Sequence, residues 1–385
     1  MVTDDRTIHE FRPQSATTTS STIPRERATR IRRGVVALMA ALAVVVGIGA
    51  GALGVLAVAG EPETVIVERA VTVSSPVVAS GSTTTGVDAT AIGIAVVPSV
   101  VTVEIGAIQQ GAFAQFGSGS GVVFDGDGLI VTNNHVVEDA DAVRVVLSDG
   151  RVYDATIVGT DPLTDLAVLS VGATGLTPIE FGATTALQVG DPAVAVGSPL
   201  GLQGGPSLTV GVISALGREV QTDAETILFG MLQTDAPITN GSSGGSLVDI
   251  EGRLIGITTA VGVSEGGQEG IGFATPIEIV ERVIAELAAT GAVDHALLGI
   301  TGGTAYTDTG DGGQQPTGVE VETVQDRLGA ATAGIVTGDV ITSIGGSEVR
   351  TMDELITVLR SFGAGDAVTV DLADGRRVSV TLTSR

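Results

Sequence analysis

Short apolar runs separated by glycine and aspartate turns fill the middle of the chain, from about residue 92 to 275. Residues 122–124 and 129–131, for example, flank the turn formed by residues 125–128. Short runs rich in valine and isoleucine, with Asp-Gly turns between them, are typical of antiparallel strands. The pattern therefore predicts a mainly β fold, either a sandwich or a barrel.

A helical pattern follows this region. Thr275-Pro276-Ile277-Glu278 has the form of a capping box with proline at the first helical position. Apolar residues then recur at helical spacing, and Gly291 can end the helix. A second capping box, Thr351-Met352-Asp353-Glu354, predicts another helix near the C-terminus.

The N-terminal part of the chain has a different pattern. Residues 34–60 form an apolar run without a charge, long enough to cross about 30 Å of hydrocarbon as a helix. Arginines precede the run, so the positive-inside rule predicts a cytoplasmic N-terminus and an extracytoplasmic remainder. A signal peptide cleaved after Ala57-Val58-Ala59 is the alternative. The length of the run favours an uncleaved anchor, because the apolar core of a signal peptide has only about 7–15 residues.

A serine surrounded by glycines stands out within the β region, in Gly241-Ser242-Ser243-Gly244-Gly245. A serine on a tight turn offers a nucleophilic hydroxyl and neighbouring backbone N–H groups. Acyl transfer needs both of these. The spacing to the two following glycines favours Ser243 over Ser242 as the nucleophile.

The general base is found among three histidines. His9 lies in a polar tail, and His295 follows a helical segment near a domain boundary, where we expect a surface position. Only His135 follows a strand and a turn. Asp165, which leads into an apolar strand, is the candidate acid that orients the imidazole. The order His, Asp, Ser is that of the two-barrel serine proteases.

Many short motifs around these residues resemble the HtrA/Deg family of trypsin-like serine proteases with a C-terminal PDZ domain. The resemblance extends from about residue 92 to the end of the chain, at residue 385. The matching motifs are residues 117–121, 132–137, 149–151, 165–168, 196–201, 211–214, 233–236 and 243–245.

The resemblance implies a chymotrypsin-like fold of two six-stranded antiparallel barrels with the active site in the cleft between them. The catalytic triad would be His135, Asp165 and Ser243, and the backbone N–H groups of Gly241 and Ser243 would form the oxyanion hole. The chain departs from the family in this loop. Asn240 stands where proline is usual, and Ser242 stands where asparagine is usual.

The same resemblance suggests the class of substrates. The wall of the pocket for the residue before the scissile bond would include Ile238, Ile255 and Ile257, none of which is charged. We therefore expect cleavage of unfolded proteins and peptides after small or medium aliphatic residues. The alternative is a catalytically inactive scaffold or chaperone, which the altered loop around the nucleophile could favour.

The C-terminal part resembles a PDZ domain, which binds C-terminal peptides by adding them as a strand to a sheet edge. Leu298-Gly299-Ile300 would capture the peptide carboxylate. The groove would lie against the helix that carries Leu355 and Leu359, unless these two residues are simply core. Such a domain could activate the protease or only deliver its substrates, and the sequence favours neither.

Composition excludes several other functions. The net charge of −25 and the aromatic content of 3% argue against a nucleic-acid-binding surface. The chain has no cysteine, and its histidines are too dispersed for a zinc site, so we expect no metal or cofactor. The resemblance suggests a homotrimer or larger assembly, with Phe113 and Phe116 in the region where aromatic residues mediate that contact.

The chain then divides into five parts. These are a cytoplasmic disordered tail (residues 1–33), a transmembrane helix (34–60), an extracytoplasmic stalk (61–88), a trypsin-like protease domain (89–291) and a PDZ domain (296–385).

Overall fold

The computed structural model describes residues 87–198, 205–222, 226–259 and 271–384. The predicted tail, the predicted transmembrane helix and nearly all of the predicted stalk lie outside the described residues. Within the described ranges, no helix is long and apolar enough to cross a membrane.

A closed sheet of six strands comes first, in the order β1-β2-β3-β6-β5-β4. Its Asp125–Gly128 turn forms as the sequence predicts, because Gly128 N donates to Asp125 O and Asp127 N donates to Asp125 Oδ1. The mainly β class and a closed six-stranded barrel are thereby confirmed. The strands are β1 (Val100–Gln109), β2 (Ala112–Asp125), β3 (Leu129–Thr132), β4 (Ala142–Val146), β5 (Val152–Asp161) and β6 (Leu166–Val171).

Six further strands form another closed sheet, in the order β10-β11-β12-β9-β8-β7. Strand β10 lies between β7 and β11, so the residues just before it are held close to the ends of both neighbours. These strands are β7 (Pro192–Gly197), β8 (Ser207–Gln221), β9 (Ile227–Thr234), β10 (Ser246–Val248), β11 (Leu254–Thr259) and β12 (Gly272–Pro276).

Helices pack on the two sheets. Helix α1 (Ala89–Val96) extends into the region that the sequence pattern assigned to strands, which begins at about residue 92. Asp88 caps the helix by accepting a hydrogen bond from Ala91 N. The cap and the following short 3-10 turn, Val97–Ser99, override the β-branched composition of this run. Helix α2 (Asn134–Val137) follows β3, and helix α3 (Ile277–Thr290) follows β12.

One continuous apolar core joins the two sheets. It contains buried side chains from both sheets and from α1 and α3, for example Leu166 of β6 and Ile257 of β11. Each fully buried side chain of this size contributes roughly 1.5–3 kcal/mol. Packing therefore fixes β6, which directly follows Asp165, and β10, which begins three residues after Ser243.

The predicted capping box of α3 is wrong, although the helix itself forms. Pro276 is the N-cap and makes no side-chain capping bond. The Glu278 carboxylate instead accepts hydrogen bonds from Thr184 N at 2.7 Å and from Thr184 Oγ1 at 2.6 Å. The predicted end of α3 is confirmed, because Gly291 adopts the left-handed conformation (φ 78°) and its N–H donates to Leu287 O.

The C-terminal region forms its own core and sheets. An open sheet runs in the order β14-β15-β16-β18-β19, with β17 paired to β16, and β13 pairs with β20. Two helices cover it, α4 (Gly329–Thr332) and α5 (Met352–Leu359), and Thr351 caps α5 as predicted. The strands are β13 (Ala296–Leu297), β14 (Ile300–Asp308), β15 (Gln314–Val324), β16 (Val340–Ile344), β17 (Ser347–Glu348), β18 (Ala367–Leu372), β19 (Arg377–Thr381) and β20 (Thr383–Ser384).

The expected surface position of His295 is wrong. Its side chain is buried, and Nε2 lies 2.9 Å from both carboxylate oxygens of Asp161. Nδ1 lies 3.2 Å from the Arg282 guanidinium, which can only donate, so Nδ1 accepts and Nε2–H donates to Asp161. Burial would raise the pKa of Asp161, but the bonds from His295 and Thr164 hold this pKa below its usual value. Arg282 also donates to Arg360 O, which links the two domains.

Candidate active site

His135 and Asp165 form a direct pair. His135 lies in the short helix α2, and its Nδ1 is 2.7 Å from Asp165 Oδ2. The backbone N–H of His135 donates to the other carboxylate oxygen, Oδ1, at 3.0 Å. Both oxygens of the carboxylate therefore hold the same histidine, which fixes the plane of the imidazole and places its proton on Nδ1.

The backbone at Asp165 is unusual, with a positive φ of 54°. A left-handed conformation is unfavourable for an aspartate, so the surrounding structure must stabilise it. Asn133 does so from a fully buried position, because its Nδ2 donates to Asp165 O at 2.8 Å. The same amide donates to Thr259 Oγ1 at 3.1 Å, so Asn133 links the candidate acid to the end of β11.

The environment of His135 changes its acidity. Burial acts to lower the pKa, but the hydrogen bond and charge of Asp165, with the charge of Glu138, raise the pKa of His135 above its ordinary 6.5. The Asp165 carboxylate is only 7% exposed, so water screens its charge little. A histidine with this pKa is a stronger base than free imidazole.

The raised pKa of His135 gives a prediction for the pH dependence of activity. A protonated imidazole cannot accept the serine proton, so activity is lost as the pH falls through this pKa. We expect the acid limb of the kcat/KM profile for a short peptide to lie above pH 6.5. An acid limb below that value would contradict the pairing with Asp165.

Ser243 lies in the turn before β10 and is 5% exposed. Its carbonyl accepts a hydrogen bond from Ser120 N of β2 at 2.7 Å. The following Gly244 has φ 85°, and a Cβ there would collide with the Ser120 carbonyl and the Thr132 hydroxyl. Only glycine fits this position, which explains the glycine that follows the candidate nucleophile.

Gly119 lies where the two candidate segments meet. A Cβ at this position would lie 2.7 Å from the Val136 side chain and 3.3 Å from the Ser243 carbonyl oxygen. Val136 directly follows His135 in α2. Because Gly119 has no side chain, helix α2, which carries His135, and the turn that carries Ser243 can both pack against β2 at this point.

Hydrogen bonds also hold the candidate oxyanion loop. Ser242 N donates to Thr239 O at 2.9 Å, which closes a turn in which Gly241 has φ 88°. Thr258 Oγ1 donates to Ser242 O at 2.7 Å, and Ser120 Oγ donates to Gly241 O at 2.7 Å. The loop is thus fastened from both sheets although it has no proline at residue 240.

The three predicted pocket residues have different positions. Ile238 is half-buried, lies against Gly272 and packs on the core cluster that contains Ile255. Ile255 and Ile257 are fully buried, and Ile257 belongs to the core shared by the two sheets. Ile238 and Ile255 thus share one apolar cluster, whereas Ile257 belongs to a different one.

The predicted peptide-binding segment lies at the start of β14. Leu298 is buried in the domain core, Gly299 has φ 86°, and Ile300 is half-buried. On the neighbouring helix α5, Leu355 is core, as one of the two interpretations predicted, and Leu359 is half-buried. Helix α5 also contacts β8 and β9 of the protease domain.

Sequence reasoning missed the residues that support the site. It assigned no chemistry to Asn133 and gave no separate role to Ser120 or Thr258. Each makes a side-chain hydrogen bond to the backbone of a candidate catalytic segment. Asn133 and Ser120 do lie in motifs that the resemblance identified, which was a usable signal, but the partners are distant in sequence.

Comparison with known proteins agrees with this architecture. Residues 119–257 match the trypsin-like peptidase domain and residues 296–383 match the PDZ domain. The periplasmic serine endoprotease DegP of Escherichia coli K12 is 41% identical over 269 residues, which are 69% of this chain and 56% of that protein. The chain thus spans little more than half the length of that relative.

Two other comparisons cover more of the related protein. The chloroplastic Protease Do-like 1 of Arabidopsis thaliana is 37% identical over 309 residues, which are 74% of this chain and 69% of that protein. The solved structure of the HtrA-type protease AlgW with a tripeptide has a TM-score of 0.61 and 30% identity, and covers 77% of this chain and 97% of that one.

A closed barrel, a paired histidine and aspartate, and a serine on a glycine turn define a trypsin-like serine protease fold, here followed by a PDZ domain. The chain belongs to the HtrA/Deg family of trypsin-like serine proteases.

Proposed function

We propose that this chain is a serine endopeptidase with the triad His135, Asp165 and Ser243. The observation that carries the proposal is the double hydrogen bond of the Asp165 carboxylate to His135. Ser243 Oγ attacks the scissile carbonyl carbon while its proton passes to His135 Nε2. The backbone N–H groups of Gly241 and Ser243 stabilise the oxyanion.

The second half of the reaction uses the same groups. The C–N bond breaks as His135 gives its proton to the leaving amine, which leaves an acyl group on Ser243. Water then attacks the acyl carbon and passes a proton to His135. The C–O bond to Ser243 breaks as His135 returns that proton to Ser243 Oγ, which releases the acid product and restores the free serine. The Asp165 carboxylate stabilises the imidazolium that forms.

Covalent labelling separates this proposal from an inactive scaffold. We expect a fluorophosphonate to form an adduct on Ser243, found by mass spectrometry of the digested protein, and to stop casein cleavage in proportion to labelling. Ser242 is the internal control for the site of attack. Absence of an adduct on Ser243, with a C-terminal peptide present to engage the PDZ domain, would favour the scaffold instead.

The proposed substrates are unfolded or damaged proteins cut after small or medium aliphatic residues. The support is the apolar packing of Ile238, which lies against Gly272 and packs on the buried cluster that contains Leu247 and Ile255. In a peptide library we expect cleavage mainly after valine, alanine or similar residues. Dominant cleavage after arginine or lysine would refute this, because such specificity needs a carboxylate in the pocket.

We also propose that the PDZ domain binds C-terminal peptides at Leu298-Gly299-Ile300. Helix α5 borders the proposed groove and also contacts β8 and β9, so a bound peptide has a route to the protease domain. Turnover of a short substrate, with and without a separate C-terminal peptide, distinguishes the two modes of action. Activation predicts a higher kcat, whereas simple delivery predicts no change.

Two further proposals concern location and assembly. Residues 34–60 would anchor the chain in the cell membrane with the protease and PDZ domains outside, and membrane fractionation with protease protection tests this. The exposure of Phe116, at 60%, supports a homotrimer or larger assembly. Phe113 lies in the same region, and its ring stacks on the Arg144 guanidinium of its own chain, with its centroid 4.1 Å from Cζ. Light scattering on residues 90–385 tests the assembly, and a monomer would refute it.

A further inference from the structure

Ser120 occupies a central position between the two sheets. It lies on β2 and is fully buried. Its backbone N–H donates to Ser243 O, and its backbone carbonyl accepts from Thr132 Oγ1, each at 2.7 Å. Its hydroxyl makes two further hydrogen bonds, with Ser198 N and with the Gly241 carbonyl, whose residues lie 78 and 121 positions away in sequence.

The direction of these two side-chain bonds follows from chemistry. Ser198 N can only donate, and it lies 2.7 Å from Ser120 Oγ, so the hydroxyl oxygen accepts there. The single hydroxyl hydrogen therefore goes to the remaining partner, the carbonyl of Gly241 at 2.7 Å. The Ser198 hydroxyl lies 2.5 Å from Thr102 Oγ1, which keeps the Ser198 backbone in place.

The bond to Gly241 acts on the proposed oxyanion hole. Gly241 is a glycine with φ 88°, so its own backbone is free to rotate. A hydrogen bond that fixes its carbonyl fixes the peptide plane between Gly241 and Ser242. This limits rotation at the two junctions that flank the plane, and these junctions set the directions of the N–H groups of Gly241 and Ser243. Residue 240 is an asparagine, which does not restrict this loop as a proline would, and the hydroxyl of Ser120 supplies a restraint from the other sheet.

We propose that Ser120 is a positioning residue for the oxyanion hole. Its hydroxyl, which Ser198 N orients, holds the Gly241 carbonyl while its backbone N–H holds the Ser243 carbonyl. One residue of the first sheet thereby holds the carbonyl on each side of Ser242 and restricts the loop that carries the two oxyanion donors. This inference rests on the proposed triad and oxyanion hole, and it adds a residue that touches neither substrate nor the reacting atoms.

The test uses Ser120→Ala in the full chain. A fluorophosphonate titrates the active sites to completion, and kcat is then expressed per titrated site. We expect kcat to fall about 10- to 100-fold with little change in KM, below the roughly 10²- to 10³-fold cost of removing an oxyanion donor. The inhibition constant of a peptide boronate, which forms a tetrahedral adduct, should rise by the same factor. Ser120→Cys, with a weak donor of similar shape, should give an intermediate kcat.

Ser118→Ala is the matched control, because Ser118 lies two residues earlier on the same strand and should leave kcat unchanged. If Ser120→Ala and Ser120→Cys lower only the fraction of titratable sites, with wild-type kcat and boronate affinity per site, Ser120 has a structural role alone and the inference is wrong. Failure of the proposed function gives a different result. In that case the wild-type chain itself would neither cleave casein nor bind the boronate at Ser243.

Discussion

Replacing Ser243 with alanine is expected to lower kcat on casein and on peptides by about 10⁴-fold or more. The substitution removes the nucleophilic oxygen, while the backbone bonds that shape the loop remain, since Ser243 O accepts from Ser120 N and Gly244 N donates to Thr258 O. The variant should therefore fold like the wild type and still bind substrates. Progress curves at high enzyme concentration, with circular dichroism as the folding check, provide the measurement.

Ser242→Ala is the matched control for this prediction. Ser242 precedes Ser243, and its known contacts in the loop are made by its backbone N–H and carbonyl, which the substitution keeps. We expect its activity to stay within the same order of magnitude as that of the wild type. Loss of activity in Ser242→Ala combined with activity in Ser243→Ala would assign the nucleophile to Ser242 and overturn the triad.

The predicted features that depend on local sequence form as expected. The Asp125–Gly128 turn follows from residues next to one another, and so does the left-handed Gly291 that ends α3. The predicted capping box of α3 does not form, because the Glu278 carboxylate instead accepts hydrogen bonds from Thr184, 94 residues away in sequence. Local patterns indicate where a helix begins, but tertiary contacts decide what its side chains bind.

The same limit applies to the polar residues around the site. The sequence indicates His135, Asp165 and Ser243 as candidates by type, order and motif, but it gave no reason to expect His295 to be buried. Its partner Asp161 is 134 residues away, and a buried histidine is tolerated only because that carboxylate and Arg282 satisfy both ring nitrogens. Such a pairing is a property of the folded chain and has no signature at either residue alone.

Asp165→Asn is the second substitution with a large expected effect. In the wild type, Oδ1 accepts from the backbone N–H of His135 and Oδ2 faces its Nδ1. An asparagine must keep its oxygen toward the backbone N–H, because an amide NH₂ cannot accept that bond. The NH₂ group then faces Nδ1 of His135 and can only donate to it, so Nδ1 must lose its proton and Nε2 must carry it.

A histidine protonated at Nε2 cannot accept the proton of Ser243, so we expect kcat at neutral pH to fall by about 10⁴-fold with little change in structure. Nitrogen NMR of labelled histidine reports the tautomer directly and should place the proton of His135 on Nε2 in the variant and on Nδ1 in the wild type. Asp149→Asn, in an exposed turn where Asp149 pairs with Arg151, is the matched control and should retain wild-type kcat. A decrease of less than tenfold in Asp165→Asn, or an unchanged tautomer, would show that the carboxylate does not orient the base.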